Sequence, residues 1–96
     1  MDSTYIINQD CDLLENRDNA IIFFESNEKV YILNDIENEI LNLIKKKNTL
    51  SEIINKLANK YNAKNEVIKN EVIKNDVSDF VNNLLKANLI IEEKTA

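Results

Sequence analysis

Lys29-Val-Tyr-Ile-Leu-Asn34, then an amphipathic run, then Thr49-Leu-Ser-Glu-Ile53, decides how this chain folds. Lys29 to Leu33 is dense in β-forming side chains and reads as a strand. Asn34 is a fair helix N-cap with Glu37 three residues on. Ile36, Ile40, Leu43 and Ile44 then fall at i, i+4, i+7 and i+8, one face of a helix over 35–47. Lys45-Lys-Lys47 closes it where the helix dipole favours cations, so it reads as a solvated helix end rather than a phosphate contact. Thr49-Leu-Ser-Glu52 is a second capping box, opening a helix with Leu50, Ile53, Ile54, Leu57, Ala58 and Tyr61 on one face. The short link between the two helices predicts a helix-turn-helix pair.

Working outward toward the N-terminus, Ala20-Ile-Ile-Phe-Phe24 is a second β segment and Leu13-Leu14 a third. Ser26-Asn27 reads as a two-residue hairpin loop, and Asp18-Asn19 as the preceding turn. The result is a three-stranded antiparallel meander with one strand on an edge. Tyr5-Ile-Ile7 is a further short apolar piece. The chain has no glycine and no proline but 17 asparagines. Asn is the non-glycine residue that best tolerates positive φ, so Asn19, Asn27, Asn48, Asn62 and Asn88 are expected at turns and helix ends.

Toward the C-terminus, Lys64-Asn-Glu-Val-Ile68 repeats at once as Lys69-Asn-Glu-Val-Ile73, and Lys74-Asn-Asp-Val77 begins a third copy. A period of five turns each copy by about 140° on a helix, so Val67, Val72 and Val77 do not share a face. From Ile73 the stripe becomes regular through Val77, Phe80, Val81 and Leu84, which predicts a third helix with Val67, Ile68 and Val72 off its main face. The duplication reads either as an inserted helix turn or as an extra partner-binding face. Leu89-Ile-Ile91 then packs back on the core.

The bulk properties fit one domain over residues 1–96. Charged residues make up 30% and hydrophobic residues 44%, an ordinary globular composition. The N-terminus shows no signal segment, no run approaches a membrane span, and a single cysteine, Cys11, fits a reducing compartment, so a cytoplasmic protein is expected. A net charge of −5 disfavours nucleic acid, because phosphate binding relies on a positive face. There is no histidine, which excludes His-based triads and proton shuttles. No CxxC or calcium loop is present, and the missing glycine removes the phosphate-cradling loops. Asp76 and Asp79 read as surface carboxylates. The chain is therefore read as a non-enzyme with no cofactor and no metal.

With these elements in place, the chain resembles the PqqD-like family, small winged-helix domains that recognise the leader of ribosomally made, post-translationally modified peptides; the resemblance implies a domain core at about 12–92. The residues that carry the resemblance are Val30-Tyr-Ile-Leu-Asn34, Thr49-Leu-Ser-Glu-Ile53, Leu57 and Tyr61, and Asp76-Val77…Phe80-Val81…Leu84 leading to Asn88-Leu-Ile90. Glycines common in that family are replaced here by Asn27, Asn48 and Asn88. The segment from Tyr61 to Asp76 is about five residues long in excess, matching the duplicated unit.

The resemblance implies an α+β winged helix-turn-helix fold, a three-stranded antiparallel sheet followed by three helices. It also implies that a leader peptide adds as an antiparallel strand along the third strand, in a groove walled by the third helix. On that basis the peptide-binding edge is Glu28, Lys29, Val30, Tyr31, Ile32 and Leu33. Tyr31 and Leu33 point one way, with Leu33 in the core, and Val30 and Ile32 are offered to the groove. On the third helix, Val81, Leu84 and Leu85 line the floor, and Asp79, Asn82 and Lys86 meet polar leader residues. Ile32→Asp and Val81→Asp are expected to weaken binding while the fold survives.

The implied partners are a precursor leader and a peptide-modifying enzyme: a radical S-adenosylmethionine enzyme, a peptidase or a cyclase. No nucleic acid and no membrane is expected, and a homodimer is a further option. The alternative is a winged-helix DNA-binding transcriptional regulator. Arg17 is the only arginine, and the third helix carries Asp76 and Asp79 beside Lys74, which disfavours that alternative.

Overall fold

A computed structural model describes residues 3–15, 19–63 and 70–93. The elements in chain order are β1 (Thr4–Ile7), β2 (Cys11–Glu15), β3 (Ala20–Phe24), β4 (Lys29–Leu33), α1 (Asp35–Lys45), α2 (Leu50–Ala63), α3 (Asn70–Lys86) and β5 (Ile90–Glu93). The fold is α+β, a three-stranded antiparallel sheet followed by three helices. An expectation from sequence is met there.

β2, β3 and β4 pair in that order. Leu13 faces Ile22, which faces Tyr31; Ala20 faces Leu33. Because side chains alternate along a strand, Ala20, Ile22 and Phe24 all enter the core from one face of β3. Leu33 joins them, 4% exposed.

The helices start where their caps dictate. The Asn34 side chain accepts from the Glu37 N–H at 2.8 Å, and the Asn34 N–H donates to Glu37 Oε1 at 3.0 Å. Thr49 and Glu52 repeat the arrangement at 3.2 and 2.9 Å. Each box satisfies two N–H groups left open by a helix start. Ile40, Leu41 and Ile44 of α1 meet Ile53 and Leu57 of α2 and Ile73, Val77, Val81 and Leu84 of α3 in one cluster. Leu41 was not on the stripe read from sequence, yet it is fully buried.

Two turns differ from expectation. The β3–β4 loop spans Glu25 to Glu28, since Phe24 pairs with Lys29. Positive φ falls on Glu28 (57°), while the Asn27 side chain accepts from the Lys29 N–H at 3.0 Å. Between α1 and α2, Lys47 takes the left-handed conformation (65°) rather than Asn48. Asn48 is instead buried, donating to the Leu43 carbonyl at 2.8 Å and accepting from Lys56 Nζ at 2.6 Å. A carboxamide with interior partners is worth more there than a tolerant backbone. Asn88 does adopt positive φ, at 61°. Asn62 lies inside α2 rather than at a turn.

The closing segment does more than pack on the core. β5 pairs antiparallel with β1, Thr4 opposite Glu93 and Ile7 opposite Ile90. Tyr5 is buried there, and burial, helped by the Glu92 charge, raises its phenol pKa. Lys47 reaches Glu93 at 3.0 Å and ties this small sheet to the α1–α2 turn. Of the duplicated unit, Val67 and Ile68 lie outside the described residues; Val72 is 47% exposed, off the main stripe as the five-residue period requires.

Candidate functional site

β4 pairs with β3 along one side only, so among the described residues its other side offers unpaired N–H and C=O groups. Natural sheets guard such edges with charges, proline or bulges, because an open edge templates pairing with another chain. β2, the opposite edge, carries Asp12 and Glu15, both exposed. β4 has one charge, Lys29 at its start, and then exposes Val30 (57%) and Ile32 (73%). Its unguarded edge opens into a groove of about 370 Å³ between β4 and α3. Val30, Tyr31, Ile32 and Leu33 form one wall; Phe80, Asn83, Leu84 and Ala87 form the other, with Leu89 and Glu37 also lining it.

Phe80, Leu84 and Ala87 stand at i, i+4 and i+7, so they share one face of α3. That face differs from the one read from sequence. Val81, expected on the groove floor, is 1% exposed and belongs to the interior cluster. One residue is about 100° of helix rotation, enough to turn Val81 toward the core while Phe80 faces the groove. Leu85 likewise packs against the core, half-buried, and does not line the groove. Leu84 lines it as expected. Asn82 is exposed about 200° around the helix from Phe80, turned away from the groove. Lys86 is exposed in the last turn, and Glu28 is exposed in the loop before β4.

Asp79 lines a neighbouring depression of about 380 Å³ with Asn34, Ile36, Glu37, Ile40, Asp76, Phe80 and Asn83. The two hollows share Glu37, Phe80 and Asn83, so they form one trough. Sequence reasoning missed Phe80, Asn83, Ala87 and Glu37 as lining residues. The i, i+4, i+7 spacing of Phe80, Leu84 and Ala87 was the available signal.

The trough is lined by apolar side chains, the carboxamides of Asn34 and Asn83, and the carboxylates of Glu37, Asp76 and Asp79. Cys11, the one cysteine, is half-buried with its Sγ 4.0 Å from the Leu89 carbonyl oxygen, and its thiol pKa is raised by burial and by the charges of Asp10 and Asp12. A thiol held protonated is a poor nucleophile. Among the described residues no group of His, Cys, Asp and Glu is placed to hold a metal ion, and no helix is long and apolar enough to cross a membrane.

The family described as "Coenzyme PQQ synthesis protein D (PqqD)" matches residues 19–90, from the start of β3 to the start of β5. The chain belongs to the PqqD family. No curated protein matches it in sequence. Two solved structures share its fold. TbiB1 in complex with the TbiA(beta) leader peptide aligns with a TM-score of 0.76 at 17% identity, covering 94% of this chain and 96% of the other. A lasso peptide synthetase B1 complexed with the leader peptide aligns with a TM-score of 0.77 at 9% identity, covering 91% and 96%. At such identities the likeness establishes the shared fold. The PqqD match stops short of β1 and β2, so the β1–β5 pairing is a feature this PqqD-family chain carries beyond the matched span.

Proposed function

We propose that this PqqD-family protein is a non-catalytic binder of the leader region of a ribosomal precursor peptide, which it presents to a peptide-modifying enzyme. The observation that carries this reading is the open β4 edge beside an apolar trough. Backbone pairing with β4 supplies affinity, and the hollows on either side of the added strand supply selectivity. Both fold neighbours are described in complex with a leader peptide, which supports the same occupant here. Holding peptide and enzyme together raises their effective concentration without adding chemistry. The enzyme is of the radical S-adenosylmethionine, peptidase or cyclase type, and the encounter takes place in the cytoplasm.

The contact set proposed from this geometry is Lys29 to Leu33 on the strand and Phe80, Asn83, Leu84 and Ala87 on α3. Asp79 touches the peptide at one end of the trough, and Glu28 and Lys86 lie at the other. Exposed Asp76 and Asp79 on α3 repel a polyanion, so the DNA-binding regulator gains nothing from this site.

The test is a titration of isotope-labelled protein with the leader encoded beside it. Amide signals of Glu28 to Leu33 shift on binding, and Ile32→Asp weakens binding at least tenfold with the fold intact. Binding that leaves those amides unmoved rules the strand-addition reading out.

A further inference from the structure

The far face of the sheet and the two ends of the trough say what kind of segment fits. Across the sheet, Leu14 lies opposite Ile21, and Ile21 opposite Ile32. This forms an apolar row on the face turned away from the core. Phe23 and Val30 stand next to it on the same face. Leu14 is 70% exposed and Ile32 73%, so the row ends in the open at β4. Directly opposite residues in an antiparallel pair share a face and touch. A strand added to β4 thus places one set of side chains against Phe80, Leu84 and Ala87, and the alternate set beside Val30 and Ile32.

The trough is also electrically lopsided. Past Leu33 it runs onto Glu37, Asp76 and Asp79. At its other end Lys29 opens β4 next to exposed Glu28, and Lys86 precedes Ala87 at the end of α3, so two cations stand there beside one carboxylate. An antiparallel partner, the geometry of every other pair in this sheet and the more stable per residue, enters at Leu33 and leaves at Lys29. Its N-terminal end therefore meets the carboxylates.

We infer that the peptide this groove selects is apolar at consecutive positions, on both faces of the added strand, and carries basic side chains just N-terminal to that apolar run. This rests on the strand-addition reading and specifies its ligand.

Three labelled synthetic peptides test it by fluorescence anisotropy. The first is Lys-Lys-Val-Ile-Val-Ile-Ser-Asn. The second moves the lysine pair to the C-terminal end of the same apolar run. The third keeps the N-terminal lysines and replaces each isoleucine by serine. The first binds about fivefold more tightly than the second, the scale of two exposed ion pairs, and the gap closes in raised salt. It also binds about fivefold more tightly than the third, as two lost cross-strand contacts require. In a Glu37→Gln, Asp76→Asn, Asp79→Asn variant the gap between the first two peptides narrows to what Lys29 and Lys86 alone impose, while Glu28 to Leu33 amides still shift; a gap unchanged in that variant overturns the inference. Equal binding of the first peptide to either of the others, with those amides shifting, overturns this inference and leaves strand addition standing. Amides of β4 that stay still with every peptide overturn both.

Discussion

Asn34 and Glu37 hold each other across the first turn of α1, side chain to backbone in both directions, at 2.8 and 3.0 Å. Glu37 also lines the trough. One residue thus fixes where α1 begins and puts a carboxylate at the end of β4. Asn34→Ala is expected to cost about 1 kcal/mol in urea unfolding. Glu37→Gln is expected to leave stability nearly unchanged, because glutamine also closes a capping box, while removing the charge. Equal destabilisation by the two variants contradicts this division of roles.

Ile32 and Val81 are both apolar, but the structure separates their fates. Ile32→Asp puts a charge on a side chain already in water and is expected to shift stability by less than about 0.5 kcal/mol. Val81→Asp puts an unpaired charge in the interior and is expected to abolish cooperative folding. Because Val81 is buried, the fold does not survive Val81→Asp, contrary to the expectation from sequence. Leu41→Ala, at a fully buried position, is expected to cost about 2–5 kcal/mol. Thermal unfolding of the three variants checks the ranking.

Glu28 sits at φ 57° with a Cβ that this conformation crowds. Glu28→Gly relieves that crowding and is expected to raise stability by about 1 kcal/mol or less, the gain being reduced by glycine's greater freedom when unfolded. A lower urea midpoint for this variant contradicts the expectation.

Acid acts on three glutamates with opposite signs. Glu52 is held below the usual 4.5 by its hydrogen bonds from Thr49, and Glu93 by its hydrogen bond and charge pairing with Lys47. Their stabilisation is present above that value and is lost as pH falls through the lowered folded values. Glu25 is raised, first by sharing a hydrogen bond with Asp12 and then by the charges of Asp12 and Asp10. Its contribution opposes folding at neutral pH and disappears as pH falls through the raised value. Glu93→Gln is therefore expected to flatten the acid limb of a stability–pH profile. Glu25→Gln is expected to raise stability at neutral pH only. An acid limb unchanged in Glu93→Gln contradicts the first.

What the sequence made legible was local. Ala20–Phe24 and Lys29–Leu33 are dense in β-forming side chains, so both strands are legible, and pleating then alternates their burial in the structure. Both capping boxes announce their helices through residues three apart. Glu28 and Lys47 show the limit: the left-handed position is set by how the loop must close, and neither side chain advertises it. The pairing of β1 with β5 brings together segments far apart in sequence, and the four-residue strands Thr4–Ile7 and Ile90–Glu93 carry no register that names a distant partner. On α3 the apolar stripe is wide, and only packing against α2 and the sheet decided that Val81 turns inward and Phe80 toward the trough.

Thr4 lying opposite Glu93 puts the two ends of the described chain side by side. Any protein joined genetically at either end is thus delivered to the same corner of the molecule, held there by one two-stranded clasp. Linking those ends directly and cutting the chain open in the β3–β4 loop leaves the helical core's connections whole, so a permuted protein is expected to fold while the hairpin that shapes the trough becomes two separate strand ends.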